Sequence, residues 1–411
     1  MNPQPTDDKP ESGIARRKFL ATAAAMAGAA VTSTTRLSAQ GPGTIMAYVG
    51  AYTDRGKGIH MFTMDQNDGT LTPTKILTGL PSPSSLFIHP NKKFMYAGNE
   101  ISNFSGAGTS GSVTAIAIDP ATGDLKILNA ISSGGRGPAH VSVDPTGKFV
   151  FASNYGSGQV GVLSIKDDGS LDKVVDSKQI TGTLGKNPAQ DAPPGSFANS
   201  GHDAPHVHMA QMDPFGRFLL ASDLGTDRVY IFKMDPASGL LSPNEPAFVQ
   251  ATNGAGPRHF AFNANGRYLY VVNEESSTMD AMSWDSGSGQ ATIQQTISTL
   301  PKGYEGTNYT SEIGTTPDGR FVYCANRLHD SVAVFSTDPV NGAVKLVDIV
   351  WTRGSYPRNF SIDPSGNFMY ILHSRSDNVT CFKVDRTTGG LSFTGKFTGV
   401  GNPSEIRLLR L

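Results

Sequence analysis

Pro205-His206-Val207-His208, Gly256-Pro257-Arg258-His259, Asn273-Glu274 and Asn326-Arg327 bring ionisable side chains into the chain at a spacing near fifty residues. Arginine presents a planar fork that fits a carboxylate, a phosphate or the oxyanion that develops when an ester carbonyl is attacked. His208 or Glu274 could take a proton from water or from a substrate hydroxyl. The chain has no Gly-x-Ser-x-Gly elbow, no His-Glu-x-x-His pair and no Walker phosphate loop, which argues against a covalent serine hydrolase, a zincin and a nucleotide enzyme. A water-based mechanism without a metal or other cofactor is the simplest chemistry left.

Such groups need a scaffold that returns to one place every fifty residues. Val141-Ser142-Val143-Asp144-Pro145-Thr146-Gly147-Lys148, Met212-Asp213-Pro214-Phe215-Gly216-Arg217, Thr316-Pro317-Asp318-Gly319-Arg320 and Ile362-Asp363-Pro364-Ser365-Gly366 are one recurring phrase. A period of this length, built of strands and tight turns, predicts a β-propeller. A second turn recurs seven times, at Gly69, Gly123, Gly169, Gly239, Gly289, Gly342 and Gly389, whereas turns of the first type occur six times, around Asn91, Thr146, Phe215, Asn265, Asp318 and Ser365. If each blade runs A to D, with the Asp-Pro turn joining A to B and the glycine turn joining C to D, the first glycine turn lacks its own strand A. The segment from Asn402 to Leu409 resembles the start of the other A strands and can supply it. The reading is therefore all-β: a seven-bladed propeller of four-stranded antiparallel blades, closed by pairing of the C-terminal strand with the N-terminal ones, which removes an exposed edge. It forms a single domain over residues 40–411.

Glycine turns follow one another at 46 to 54 residues except across Gly169 to Gly239, where the interval is 70. The excess is a Gly, Pro, Asn and Ser-rich loop, residues 181–203, which reads as either a disordered insertion or, since long loops inside compact domains are often functional, a lid over one face.

In this scheme the residues entering strand A and those leaving strand B share one end of the ring. The entering pairs include Ala139-His140, His208-Met209, Arg258-His259, Ser311-Glu312, Arg358-Asn359 and Ser404-Glu405. The leaving pairs include Asn99-Glu100, Asn154-Tyr155, Asp223-Leu224, Asn273-Glu274 and Asn326-Arg327. Asn and Asp at a strand end serve turn geometry well, and most of that column needs no further explanation. Turn geometry does not call for Glu274, Arg327, His208, Arg258 or Arg358. The channel mouth thus offers His208, Arg258, His259, Glu274, Arg327 and Arg358 as candidate site residues, with Asn154 and Glu312 beside them as candidate substrate contacts.

With 34 Lys and Arg against 35 Asp and Glu, the net charge of -1 gives no basis for a nucleic-acid partner or a polybasic membrane patch. The two cysteines, Cys324 and Cys381, lie in apolar strand runs and read as unpaired core thiols. Residues 1–39 differ in kind: Arg16-Arg17-Lys18-Phe19-Leu20, an alanine-rich run to Val31 and Ser38-Ala39 form a twin-arginine signal peptide pattern. The run is too short for a membrane span, so the mature protein is expected in the periplasm or outside the cell.

Taken in order on a seven-fold repeat, Pro205-His206-Val207-His208, Gly256-Pro257-Arg258-His259, Tyr270-Val271-Val272-Asn273-Glu274 and Cys324-Ala325-Asn326-Arg327 resemble the seven-bladed lactonase family. That family holds the propeller-type 6-phosphogluconolactonases and the carboxy-cis,cis-muconate cyclases, and the resemblance runs from about Thr44 to Leu411. It implies a 6-phosphogluconolactonase-like enzyme of carbohydrate metabolism, opening a small-molecule lactone at a cluster of His208, Arg258, Glu274 and Arg327, with His206 as a less regular second histidine. Glu274 or His208 would be the general base. The export signal fits a phosphosugar substrate poorly and points to a sugar or organic-acid lactone more broadly. The alternatives are a muconate-type lactonising cycloisomerase and a non-catalytic exported propeller that binds an anionic ligand or a protein. A calcium-dependent gluconolactonase fits less well, because arginines among the acids would repel a divalent cation.

Overall fold

A computed structural model describes residues 43–106 and 108–411, and the segment read as a signal peptide lies outside them. The described residues form seven four-stranded antiparallel sheets. Their innermost strands are Pro83–Ile88, Pro138–Val143, Val207–Met212, Pro257–Phe262, Thr310–Thr315, Pro357–Ile362 and Pro403–Arg410. Each packs against the next, and the last packs against the first, so the seven sheets are the blades of a closed β-propeller. In the closing blade Pro403–Arg410 pairs with Ile45–Ala51, followed outward by Ile59–Met64 and Leu71–Leu77. This is the one-plus-three closure expected from the unequal turn counts.

Burial explains why the strands read differently. The second strands, such as Phe218–Asp223, Tyr268–Asn273 and Phe321–Asn326, are buried at every residue because a neighbouring blade covers each face. The outermost strand Gln290–Ser298 alternates half-buried with exposed, as an edge with one wet face must. Cys324 and Cys381 are buried and unpaired.

Both recurring turns have a physical reason. In the Asp-Pro turn the carboxylate closes the loop on itself: Asp144 Oδ1 accepts the N–H groups of Lys148 and Phe149, both at 2.7 Å, and Asp363 does the same for Asn367 and Phe368. The glycine turn fastens one blade to the next. Tyr96 donates its hydroxyl to the Gly169 carbonyl at 2.9 Å, Tyr323 to Gly389 at 2.9 Å, and Tyr370 to Gly69 at 2.8 Å. Gly169 sits at φ +82°, and a Cβ there would meet the Phe94 ring at 2.3 Å, so no other residue fits the joint.

Candidate active site

The first residues of the innermost strands decide the site. In six blades strand pairing slips there, as between Pro83 and Ser85, Val207 and Met209, Pro257 and His259, or Pro357 and Asn359. The closing blade slips opposite Glu405 and Pro403. A bulge leaves one residue without a cross-strand partner and turns its side chain off the pleat. The residues so released include Ser84, His208, Arg258, Arg358 and Ser404, and these line one small cavity at the channel mouth. From the ends of the second strands Glu274 and Arg327 join them, anchored by Glu274 N–H to the Gly256 carbonyl at 2.7 Å and Arg327 N–H to the Tyr309 carbonyl at 2.8 Å.

Glu274 stands between two guanidiniums. Its Oε2 lies 2.6 Å from Arg327 Nη2 and 2.9 Å from Arg258 Nε, and its Oε1 accepts from Ser200 Oγ at 2.6 Å. The Arg258 Nε approach is off the hydrogen-bond direction, so that contact is an ion pair, and the Arg327 contact is the closer of the two. Arg258 Nη1 donates to the Ser311 carbonyl and Arg327 Nη2 to the Thr310 carbonyl at 3.0 Å, while Tyr309 and Tyr356 rings flank the Arg327 guanidinium at 5.4 Å. Burial alone would raise the Glu274 carboxyl, but Arg327 and Arg258 overcome it and hold it at about 2. Burial and Arg327 bring Arg258 down to about 10, so it remains charged at neutral pH.

His208 is the histidine of this mouth. Tyr155 stacks edge-on to it at 5.5 Å, and its Nδ1 is 3.0 Å from His259 Nε2. Its Nε2 has no hydrogen-bond partner among the described residues. Burial, then the charge of Arg258, holds it well below the ordinary imidazole value, so the ring is neutral at neutral pH. Arg358 faces the group from the opposite side, donating to Tyr52 Oη at 2.6 Å and Ser404 Oγ at 3.2 Å.

The other candidates divide. His206 sits on the rim, stacked on Tyr155 at 4.4 Å, with Nε2 2.8 Å from Asp203 Oδ1. His259 and Glu312 stand one layer beneath His208, bonded to each other at 3.1 Å. Asn154 is set apart, contrary to the expectation of a substrate contact. It is fully buried, and its Nδ2 donates to the Ser133 carbonyl of the preceding blade at 3.0 Å, so its amide is spent on bridging two blades.

Residues 181–203 lie over this mouth. Ser200 reaches Glu274, Tyr155 Oη donates to the Ser200 carbonyl at 3.1 Å, and Phe197 N–H donates to Thr307 Oγ1 at 3.0 Å. Sequence reading missed the fastening: His202 bridges Glu275 Oε2 and Asp227 Oδ1, both at 2.9 Å, and Gly201 N–H donates to Glu275 Oε1 at 2.6 Å. Burial would lower His202, but hydrogen bonds to Asp227 and Glu275 raise it to about 9, so a buried imidazolium pins the loop. The adjacency of Glu275 to Glu274 was the signal available for it.

The family model described as "Lactonase, 7-bladed beta-propeller" matches residues 46–408. A 6-phosphogluconolactonase of Bacillus subtilis is 34% identical over 319 residues, covering 77% of this chain and 85% of that protein. The periplasmic gluconolactonase of Pseudomonas aeruginosa superposes with a TM-score of 0.80 at 29% identity, over 89% of this chain and 99% of that one. A putative 6-phosphogluconolactonase of Bacteroides fragilis does so with the same TM-score and identity, over 89% and 98%.

Proposed function

Because this chain belongs to the seven-bladed β-propeller lactonase family, we propose that it hydrolyses a sugar or organic-acid lactone by activating water at His208, without a metal ion. The observation that carries this reading is the unpartnered Nε2 of a neutral His208 in the same cavity as Arg258. His208 Nε2 takes a proton from water as its oxygen adds to the lactone carbonyl. Arg258 and Arg327 stabilise the oxyanion, being charged, buried and already oriented before the reaction starts.

Glu274 then acts as the clamp that holds the two arginines, since its carboxylate is already taken up by both guanidiniums. With two guanidiniums on that carboxylate, a divalent cation would have to displace them. Arg358, with Tyr52 and Ser404, suits the acidic or hydroxyl-rich end of a sugar-acid lactone. Release of such a substrate or product requires the 181–203 loop to lift, so we assign that loop as the lid.

Relatives named 6-phosphogluconolactonase support the reaction class over lactone formation or non-catalytic binding. The twin-arginine pattern in residues 1–39 supports a place outside the cytoplasm, as the word periplasmic does for the Pseudomonas relative. Among the described residues no helix is long and apolar enough to cross a membrane. The test is a panel of lactones, phosphorylated and not, followed by acid release. A fall in turnover of at least about 10²-fold in His208→Gln and in Arg258→Ala is the expected result, and no turnover by the unmodified protein on any lactone defeats the proposal.

A further inference from the structure

Behind His208 the hydrogen bonds continue. His259 Nδ1 lies 3.1 Å from Glu312 Oε1, that oxygen also accepts from the Ile313 N–H at 3.0 Å, and Glu312 Oε2 accepts from the Asn359 amide. His208, His259, Glu312 and Asn359 come from four strands in three neighbouring blades and the blade that supplies His208, yet form one chain. An ionised Glu312 only accepts, so it holds the His259 proton on Nδ1. His259 Nε2 is then an acceptor, His208 must offer Nδ1–H, and the lone pair of His208 is left on Nε2, the nitrogen without a protein partner.

We infer that Glu312 is the proton store for His208, reached through His259, and that the two are positioning residues for the hydrolysis. This rests on the hydrolytic reading above. As the water oxygen bonds to the carbonyl carbon, the carbonyl π pair moves onto the oxygen held by the arginines and the water proton passes to His208 Nε2. The Nδ1 proton of His208 moves to His259 Nε2, and the Nδ1 proton of His259 moves to Glu312. On collapse the carbonyl re-forms and the ring C–O bond breaks with its electron pair on the leaving oxygen. That oxygen takes the proton from His208 Nε2 while the two shifted protons return. The chain ends as it began, and the product is a hydroxy acid that ionises to water.

The charges around the chain favour this over an imidazolium on His208. That cation would be buried beside Arg258, with Arg327 and Arg358 near, and each opposes it. Burial instead pushes the Glu312 carboxyl up to about 7, against the pull of Arg258 and Arg407, so it is ready to accept a proton near neutrality. The other charged or titratable groups facing Glu312 are Glu405, the Cys324 thiol and His259, with His140 packed against His259 at 5.6 Å. His140 is held neutral by burial and by the neighbouring cations.

Two cavities meet at this layer. His259, Glu312, Asn359 and Glu405 line both the cavity at the mouth, of about 10 Å³, and one of about 580 Å³ that reaches Pro214 and Pro317 in the Asp-Pro turns of the far face. Glu312 can therefore exchange protons with solvent from the far side while substrate fills the mouth. Once protonated, it donates to His259 Nδ1, both tautomers invert, and His208 carries its proton on Nε2 and is no base.

The experiment compares the purified protein with Glu312→Gln, using gluconolactone and its 6-phosphate across pH, alongside ¹⁵N-histidine NMR of both. Expected is a kcat about 10–100-fold lower with KM within about twofold, the range for an outer partner of a functional histidine. The unmodified protein should show an acid limb near pH 7 in kcat as well as in kcat/KM, and Glu312→Gln should move that limb to lower pH. A purely structural role would lower activity without moving the limb. NMR of the unmodified protein should find His208 protonated on Nδ1 at alkaline pH and on Nε2 below the limb, which needs no variant to fold. An unmoved acid limb, or His208 protonated on Nε2 at alkaline pH, overturns the relay. If no lactone is hydrolysed at all, the hydrolytic reading fails, and the NMR tautomers still decide whether Glu312 controls His208.

Discussion

Glu274 and Arg327 meet at 2.6 Å with their side chains only 6% and 7% exposed, and that pairing assigns the remaining chemistry around them. A carboxylate spent on two guanidiniums orients cations, and the proposed hydrolysis therefore puts proton abstraction on His208.

Replacing each of the two separates the roles. His208→Gln should remove about 10²–10⁴-fold of kcat, the usual worth of a general base. Glu274→Gln should lower kcat/KM by about 10²-fold through misplaced oxyanion donors, with the acid limb of the pH profile unmoved. Steady-state kinetics across pH on both variants checks this, and a Glu274→Gln limb that vanishes would return the base to Glu274.

Glu274 should also appear in stability. Its carboxyl is lowered in the folded state from 4.5 to about 2, so its contribution is complete above the unfolded value and is lost as pH falls between the two. Glu274→Gln leaves buried guanidiniums without their partner and should cost about 3–5 kcal/mol at neutral pH. Denaturant unfolding at stepped pH should show the difference from the unmodified protein shrinking through that acid window.

The lid should open with alkali. His202 is raised from 6.5 to about 9 in the folded loop, so its stabilisation is complete below the unfolded value and is lost as pH rises through about 9. Amide exchange in residues 181–203 should quicken above that pH, and His202→Ala should bring the fast exchange down to neutral pH. Equal protection of the loop on both sides of pH 9 would remove the latch.

The blade joints give a test away from the site. Tyr323→Phe deletes one hydroxyl bond to the Gly389 carbonyl and should cost about 1 kcal/mol. Gly389→Ala places a Cβ 2.4 Å from the Phe321 ring at φ +74° and should cost more, about 2–4 kcal/mol, because it combines overpacking with a strained backbone. Thermal unfolding of the two variants ranks them, with lactone turnover by the folded fraction unchanged.

Chelation bears on the metal-free reading. Activity should survive thorough treatment with a strong chelator undiminished, because the Glu274 carboxylate is already taken by Arg258 and Arg327. Arg358→Ala should raise KM about 10-fold or more for an anionic lactone and less for a neutral one, the mark of a charge-assisted fork.

The architecture was legible because it repeats. The carboxylate of Asp144 or Asp363 and the glycine of each C to D turn answer local demands of strand and turn, so seven blades and their closure could be counted from Gly69 to Gly389. The same local logic covers Asp223, whose carboxylate accepts from Thr226 in a turn, whereas Asn154 spends its amide on Ser133 of the preceding blade, a partner no local rule names. Departures from the repeat singled out His208, Arg258, Glu274 and Arg327, since nothing in the scaffold asks for charge there.

How those groups divide the work was decided between blades. Whether Glu274 is a base or a clamp depends on Arg258 from its own blade and Arg327 from the next, and in the proposed relay the free nitrogen of His208 depends on Glu312, 104 positions away in the chain. Proton affinity is set by burial and by charges within a few ångströms, and a linear chain carries neither quantity. The sequence determined which residues would stand at the mouth of the channel. Ring closure and the bulges that turn those side chains inward set Glu274 between two arginines and His208 against His259.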